Sequence, residues 1–140
     1  NEYNREWLTQ CAILFQSGEQ LAESPAERAQ NLLDAYPQLQ IVVVSLGGHG
    51  CWLGQRRTNT IRHVPAITIR PVVNTIGAGD ALFSSFLHFY LEHGNADLAI
   101  EQARLCAAYK IGTSGGAQGL ISIAEFHDVW RNYQNIEQRT

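Results

Sequence analysis

Residues 40–50 read QIVVVSLGGHG, and this stretch decides the fold. Its uninterrupted run of β-branched residues predicts a strand that is buried on both faces, as in a parallel sheet covered by helices. The glycines that follow predict a tight turn where this strand ends. An α/β fold follows if the neighbouring segments supply a helix and a second strand.

The residues before this strand complete a strand, helix, strand unit. Residues 11–15, CAILF, form a short apolar run that predicts the first strand. Ser24 and Glu27 then have the spacing of a capping box, and Pro25 stands at the first helical position. Pro37 ends the helix that this start predicts. The order of these elements is that of a βαβ unit, and it favours an α/β domain.

Downstream, the pattern predicts two short strands and then helices. The strands are CWLG and TIRHVPAITI, which the polar loop QRRTN joins as a hairpin. A long amphipathic helix is predicted from Gly79 or Asp80 to about Glu92, with Gly94 as its stop. Asn95 caps a further helix, and SIAEFHDVWRNY begins with a second capping box. We expect one compact domain.

The composition favours a small-molecule partner by elimination. The chain has 140 residues, is 45% hydrophobic and carries a net charge of -3 without basic clusters, which argues against nucleic acid or an anionic membrane as partner. It has no apolar run of the ~20 residues that would span a bilayer. Its three cysteines are far apart, which indicates a reducing, cytoplasmic setting. Because it contains no methionine, we expect it to begin after processing or within a longer protein.

Two glycine-rich turns follow apolar runs, SLGGHG at 45–50 and NTIGAGD at 74–80. Each has the small residues that let backbone amides surround a phosphate, but each is equally compatible with a simple chain reversal. The dinucleotide fingerprint is excluded because Leu82 stands where its third glycine belongs. The Walker loop is excluded because Lys110 is the only lysine in the chain.

Hydrolase and zinc interpretations are weaker. Ser45 lacks the G-x-S-x-G surroundings of a nucleophilic serine. His49, Cys51 and His63 match no standard zinc spacing, and a structural role is favoured for them. Asp80 remains open at this point. The helix dipole alone accounts for a carboxylate on a first turn, but beside phosphate-binding amides it would orient a substrate hydroxyl and take its proton.

Four segments together resemble the ribokinase/PfkB family of carbohydrate kinases. NTIGAGDALFSSFL is similar to the family's second signature, D-T-x-G-A-G-D, and VVVSLGGHGCWL resembles its nucleotide strand and loop. CAILFQSGEQLAE is similar to its upstream strand and N-x-x-E element, and AAYKIGTSGGAQ resembles the late helix and Gly-Ala turn that flank the adenine. The segments occur in family order over residues 11–120. The resemblance implies a ribokinase-like three-layer α/β/α sandwich, of which this chain is a part.

The resemblance also implies roles for individual residues. Asp80 would be the catalytic base, and the amides of Gly77, Ala78 and Gly79 would form an anion hole for the transferred phosphoryl group. Glu19 would hold Mg²⁺ through water. The residues that would border the nucleotide are Gln16, Ser45, Gly47, Gly48, Gly50 and Gly116.

The chain departs from the family pattern at three positions and in length. Asn74 replaces the usual aspartate at the link to a monovalent cation such as K⁺, and a neutral amide attracts a cation less strongly. Gln16 stands where the family usually has asparagine, and Ser85 where it has alanine or glycine. Family members are about twice as long. We therefore expect residues 1–140 to be the C-terminal, nucleotide-binding and catalytic portion, without the N-terminal half that carries the sugar site and the lid.

The implied activity is phosphorylation of a sugar or nucleoside hydroxyl by ATP and Mg²⁺, with weak turnover by the isolated chain because the other half excludes water and positions the hydroxyl. A homodimer through the absent lid is implied as well. The alternative is a nucleotide-binding module without catalysis, and a third reading is similarity of fold alone.

Overall fold

A computed structural model describes residues 5–114 and 120–137. The chain divides into two compact units, Asn1–Ala66 and Ile67–Thr140, where its length had led us to expect one. The elements in chain order are α1 (Arg5–Leu8), β1 (Ile13–Ser17), α2 (Pro25–Ala35), β2 (Ile41–Ser45), β3 (Cys51–Gln55), β4 (Thr60–Val64), α3 (Ala78–His93), α4 (Ala96–Ile111) and α5 (Ile123–Glu137).

The first unit contains a four-stranded sheet in the order β1-β2-β3-β4. Strand β2 pairs parallel with β1 and antiparallel with β3. Its central side chains Val42, Val43 and Val44 are fully buried, which confirms the prediction of a strand covered on both faces. The sheet is nevertheless mixed, because the glycine turn after Ser45 reverses the chain directly into β3 instead of passing through a crossover helix.

Two strand boundaries differ from the predictions. Strand β1 covers Ile13–Ser17 and not residues 11–15, because its pairing with β2 runs from Ile13 opposite Ile41 to Ser17 opposite Ser45. Strand β4 ends at Val64, although the apolar pattern continued to residue 69. Pro65 has no amide hydrogen to donate to the ladder, so the strand stops before it.

Helix α2 begins as the sequence predicts. Ser24 Oγ accepts a hydrogen bond from the Glu27 amide at 3.2 Å, and Glu27 Oε2 accepts one from the Ser24 amide at 3.1 Å. The Ser24 hydroxyl, which donates to Glu27 Oε2 at 2.8 Å, and then the Ser24 amide lower the pKa of the Glu27 carboxyl below its usual value, because they stabilise the ionised form. Ala29, Leu32 and Leu33 bury the inner face of the helix. The capping box therefore sets the start of the helix that covers the sheet.

The guanidinium group of Arg56 holds the end of the same helix. It donates hydrogen bonds to the carbonyls of Leu33, Tyr36 (3.0 Å) and Leu39 (2.7 Å). Arg56→Met should lower the free energy of unfolding by about 2 kcal/mol, because it removes a charged donor from these carbonyls, of which the Tyr36 carbonyl keeps the Leu39 amide. Urea denaturation measures the change. Arg57→Met, at the exposed neighbouring position, is the control, and equal effects of both substitutions would contradict this role.

The second unit is built on α3 and α4, with α5 against them. Helix α3 ends at Gly94, whose φ is +70°, and the Asn95 side chain caps α4 by accepting a hydrogen bond from the Leu98 amide at 3.1 Å. Both features agree with the sequence predictions. The rings of Phe89 and Phe126 pack with their centroids 4.6 Å apart. No helix in the described part of the chain is long and apolar enough to cross a membrane.

Candidate functional site

The carboxyl ends of β1 and β2 bring two of the candidate nucleotide residues to one edge of the sheet. Because the strands are parallel, Gln16 and Ser17 lie beside Val44 and Ser45. The Ser45 hydroxyl is 3.5 Å from the Gln16 carbonyl oxygen. Ligands of α/β sheets bind outside the carboxyl ends of parallel strands, so this is the edge at which a ligand is expected.

The glycine turn leaves the same edge as a 3₁₀ turn, Gly47–His49. It is closed by a hydrogen bond from the Leu46 amide to the Gly50 carbonyl at 2.8 Å. Gly48 is exposed, and a side chain there would meet nothing within 4 Å. The backbone at Gly48 is therefore open to a ligand, whereas Gly50 is enclosed by the protein's own backbone.

Glu19 lies against this turn. A Cβ atom placed on Gly47 would be 2.7 Å from Glu19 Oε1, so the absence of a side chain at Gly47 makes room for the carboxylate. The structure thus brings together Glu19 and Gly47, which lie far apart in the sequence. An exposed carboxylate at this place fits Mg²⁺, which keeps several of its waters and takes one or two carboxylates.

Gln16 has a neighbour that no sequence pattern predicts. Its Oε1 accepts a hydrogen bond from Arg28 Nε at 3.0 Å. Arg28 lies one turn into α2, on a different element from Gln16. No local pattern joins the two residues, and only the packing of the helix on the sheet reveals the contact.

In the second unit, α3 begins without a side-chain cap. Its N-cap is Gly77, with φ +82° in the left-handed region that glycine adopts without strain. The Ala78 amide donates to the Thr75 carbonyl at 3.1 Å. Gly79 is exposed, and a side chain there would meet nothing within 4 Å. An uncapped helix start with a bare backbone is a suitable place for an anion.

Asp80 stands on this first helical turn, and its side chain is exposed. Within the described ranges the Asp80 carboxylate makes no hydrogen bond or ion pair, and only its backbone carbonyl is used, by the Ser84 hydroxyl at 2.7 Å. Asn74 Oδ1 accepts a hydrogen bond from the Ile76 amide at 2.9 Å, which shapes the approach to the helix. The structure therefore leaves the Asp80 carboxylate open to a substrate, whereas the side-chain oxygen of Asn74 is already hydrogen-bonded to the Ile76 amide.

The segment before α3 is fastened to the end of α4. The amides of Val73 and Asn74 donate to the Ile111 carbonyl at 2.8 and 3.0 Å. Arg70 donates to the Tyr109 carbonyl, and its guanidinium carbon lies 3.8 Å from the centroid of the Tyr109 ring. Arg70 packs so closely on Gly112 that any side chain there would collide with it. No local sequence pattern indicates this anchor, because its partners are distant in sequence.

Arg70→Met should lower the free energy of unfolding by about 1–3 kcal/mol, because it removes a charged hydrogen-bond donor from the Tyr109 carbonyl near the end of α4 and a cation from the face of the Tyr109 ring. Guanidinium denaturation followed by circular dichroism measures the loss. Arg131→Met is a matched control, since the Arg131 side chain on α5 is 73% exposed. A loss no greater than that of the control would show that the anchor is dispensable.

The alternative zinc hypothesis has no support. Within residues 5–114 and 120–137 no three His, Cys, Asp or Glu side chains are grouped so that they could hold a metal. The ring of His63 instead meets the His49 carbonyl at 2.9 Å and packs against Trp52. Cys51 is buried in the core. The last candidate nucleotide residue, Gly116, lies outside the described residues.

Comparison with known proteins identifies the family of the chain. Residues 2–123 match the pfkB family carbohydrate kinase domain. The chain is 33% identical over 100 residues to a deoxyribokinase of Salmonella typhi, an alignment that covers 71% of this chain and 31% of that protein. A ribokinase of Thermotoga maritima has a similar structure, with a TM-score of 0.81 at 20% identity over 92% of this chain and 45% of that one.

A candidate ribokinase II of E. coli, solved with ATP and Mg²⁺, has a TM-score of 0.79 at 18% identity, over 94% of this chain and 42% of that one. The chain belongs to the pfkB family of carbohydrate kinases, and it has part of the ribokinase-like α/β fold. It spans 31% of the length of the deoxyribokinase that it matches.

Proposed function

We propose that this chain provides the nucleotide-binding and catalytic part of a kinase that transfers the γ-phosphoryl group of ATP to a hydroxyl of a sugar or nucleoside. The observation that carries the proposal is the exposed Asp80 carboxylate on the first turn of a helix that starts without a side-chain cap. Phosphoryl transfer to a hydroxyl needs a group that accepts the hydroxyl proton and a site that binds the transferred phosphoryl group. The Asp80 carboxylate and the start of this helix would supply these two functions.

In the proposed reaction Asp80 accepts a hydrogen bond from the substrate hydroxyl and so orients its oxygen. That oxygen forms a bond to the γ-phosphorus, the bond from phosphorus to the bridging oxygen breaks, and ADP leaves. The hydroxyl proton passes to the Asp80 carboxylate. The amides of Gly77, Ala78 and Gly79 stabilise the negative charge on the transferred group, although the Ala78 amide also donates to the Thr75 carbonyl.

The nucleotide is assigned to the glycine turn and the strand ends of the first unit. The open backbone at Gly48 supports this assignment, and Gln16 and Ser45 lie at the edge where ligands of such sheets bind. Glu19 would hold Mg²⁺ through water, and the cation would neutralise charge on the phosphates. The E. coli structure with ATP and Mg²⁺ supports these two ligands. The deoxyribokinase relative supports a sugar as acceptor.

The alternative is a nucleotide-binding module without catalysis. The observation in its favour is Asn74, a neutral residue whose Oδ1 is already used by the Ile76 amide. A monovalent cation such as K⁺ would find less charge here than beside an aspartate. A kinase that depends on such a cation would then be slow.

The two functions are separated by an acceptor screen. The protein is expressed from its full open reading frame and incubated with ATP, Mg²⁺ and a panel of pentoses, hexoses and nucleosides, in K⁺ and in Na⁺ buffers. We expect ADP release that depends on one class of acceptor. Tight ATP binding with no acceptor-dependent ADP release in either buffer would favour the non-catalytic module.

A further inference from the structure

Arg28 is held between two side chains beside the carboxyl end of β1. Its Nε donates to Gln16 Oε1 at 3.0 Å, and its Nη1 forms an ion pair with Glu23 Oε1 at 3.3 Å. Glu23 is fixed in turn by Asn31 Nδ2, which donates to its second oxygen at 2.7 Å. These hydrogen bonds and the ion pair connect α2 with the carboxyl end of β1, and Arg28 is part-buried among them.

This contact determines which way the Gln16 amide faces. A guanidinium group can only donate hydrogen bonds, so the Gln16 atom that meets Arg28 must be the carbonyl oxygen. The amide nitrogen then points away from Arg28 with two hydrogens to donate. No acceptor in the described part of the chain receives a hydrogen bond from it, and Gln16 is only half-buried.

We propose that Arg28 is a positioning residue that turns the Gln16 amide so that its Nε2 donates to a phosphate oxygen of the bound nucleotide. The inference rests on the proposed function and adds to it a residue and a direction. Gln16 supplies a donor, which a phosphate oxygen requires, whereas the Glu19 carboxylate supplies only acceptors, which suit the waters of Mg²⁺. The two side chains of the strand end would thus take the anion and the hydrated cation separately.

The ion pair with Glu23 explains why Arg28 would act through Gln16. Glu23 offsets the charge of the guanidinium and occupies Nη1. The Nε hydrogen is occupied by Gln16. Arg28 is therefore engaged by the protein through Nε and Nη1, and the Gln16 amide adds to this network a donor that no described residue uses. Among the described residues Arg28 Nη2 is an unused donor too, and the double-mutant cycle below separates direct binding by Nη2 from an effect through Gln16.

Gln16→Glu tests the direction of the amide. A glutamate of the same shape accepts from Arg28 as a charged partner, so the thermal unfolding midpoint should be unchanged or higher. It has no hydrogen to donate and places a negative charge beside the phosphates, so the dissociation constant for Mg-ADP and for Mg-β,γ-imido-ATP should rise roughly ten- to hundredfold. Calorimetry on the protein from its full open reading frame measures both nucleotides. Gln40→Glu is the control, since it makes the same charge change just before the amino end of β2, at the opposite end of that strand from the glycine turn.

A double-mutant cycle tests whether Arg28 acts through Gln16. Arg28→Met should weaken nucleotide binding about two- to tenfold, and Arg28→Lys, which keeps a donor, should restore part of the loss. In a Gln16→Ala background, Arg28→Met should have no further effect on binding. A full additional loss in that background would overturn the inference, because Arg28 would then act without Gln16.

Binding and transfer are measured separately, so the inference and the proposed function can fail independently. Nucleotide binding that is equal in the wild type, Gln16→Glu and Arg28→Met overturns the inference and leaves the kinase proposal standing. Nucleotide binding that responds as expected, without transfer to any acceptor, supports the inference and overturns catalysis. A protein that binds neither nucleotide overturns both.

Discussion

Asp80→Asn should lower the turnover number for phosphoryl transfer by about 10²- to 10⁴-fold, while the KM for ATP changes little. Asparagine has the same shape as aspartate, but its amide does not take up the hydroxyl proton and presents hydrogen-bond donors to the substrate. The Asp80 side chain is exposed, so the substitution should not disturb the core. Steady-state ADP release with the acceptor found in the screen measures the effect.

Asp97→Asn is the matched control for this experiment. Asp97 also stands on the first turn of a helix, α4, and each carboxylate gains from the dipole of its own helix. If Asp80 serves only its helix, the two substitutions should each cost about 0.3–1 kcal/mol of stability and leave the rate unchanged. A normal rate for Asp80→Asn in a folded protein would therefore reduce Asp80 to a helix-stabilising residue.

The features that the sequence predicted are those that neighbouring residues determine. The capping box at Ser24 and Glu27 and the stop at Gly94 need only residues within a turn of each other, and the structure has both where predicted. The burial of Val42–Val44 followed from composition alone. Roles for Asp80 and Glu19 came from the family resemblance and not from these local rules.

The features that the sequence missed are contacts between distant elements. Arg28 reaches Gln16 on a different element, Arg56 reaches the end of α2 from beyond β3, and Arg70 reaches the end of α4 from the segment before α3. The residues around an arginine look the same whether its guanidinium group is solvated or hydrogen-bonded to distant acceptors. Sequence spacing therefore cannot distinguish these two states. The shift of β1 has the same cause, since its limits are set by its partner strand.

Gly50→Ala should destabilise the protein by about 2–4 kcal/mol, the largest loss that we expect from a single methyl group. Gly50 has φ +87°, a conformation that residues with a side chain rarely adopt. A Cβ there would collide with the Val64 carbonyl oxygen and lie 2.6 Å from the Ala66 nitrogen and 2.8 Å from the Pro65 carbonyl carbon. Backbone cannot move aside as a flexible side chain does. Urea denaturation measures the loss.

Gly48→Ala is the control, and it separates the two functions of the glycine turn. A methyl group at Gly48 meets nothing within 4 Å, so its stability should stay within about 0.5 kcal/mol of the wild type. If the nucleotide approaches the backbone at this place, the same methyl group should weaken Mg-ADP binding without unfolding the protein. Gly50→Ala should instead lose stability in the absence of any ligand. Wild-type stability for Gly50→Ala would show that the turn can relax, and its conformation could then no longer explain why glycine is needed at position 50.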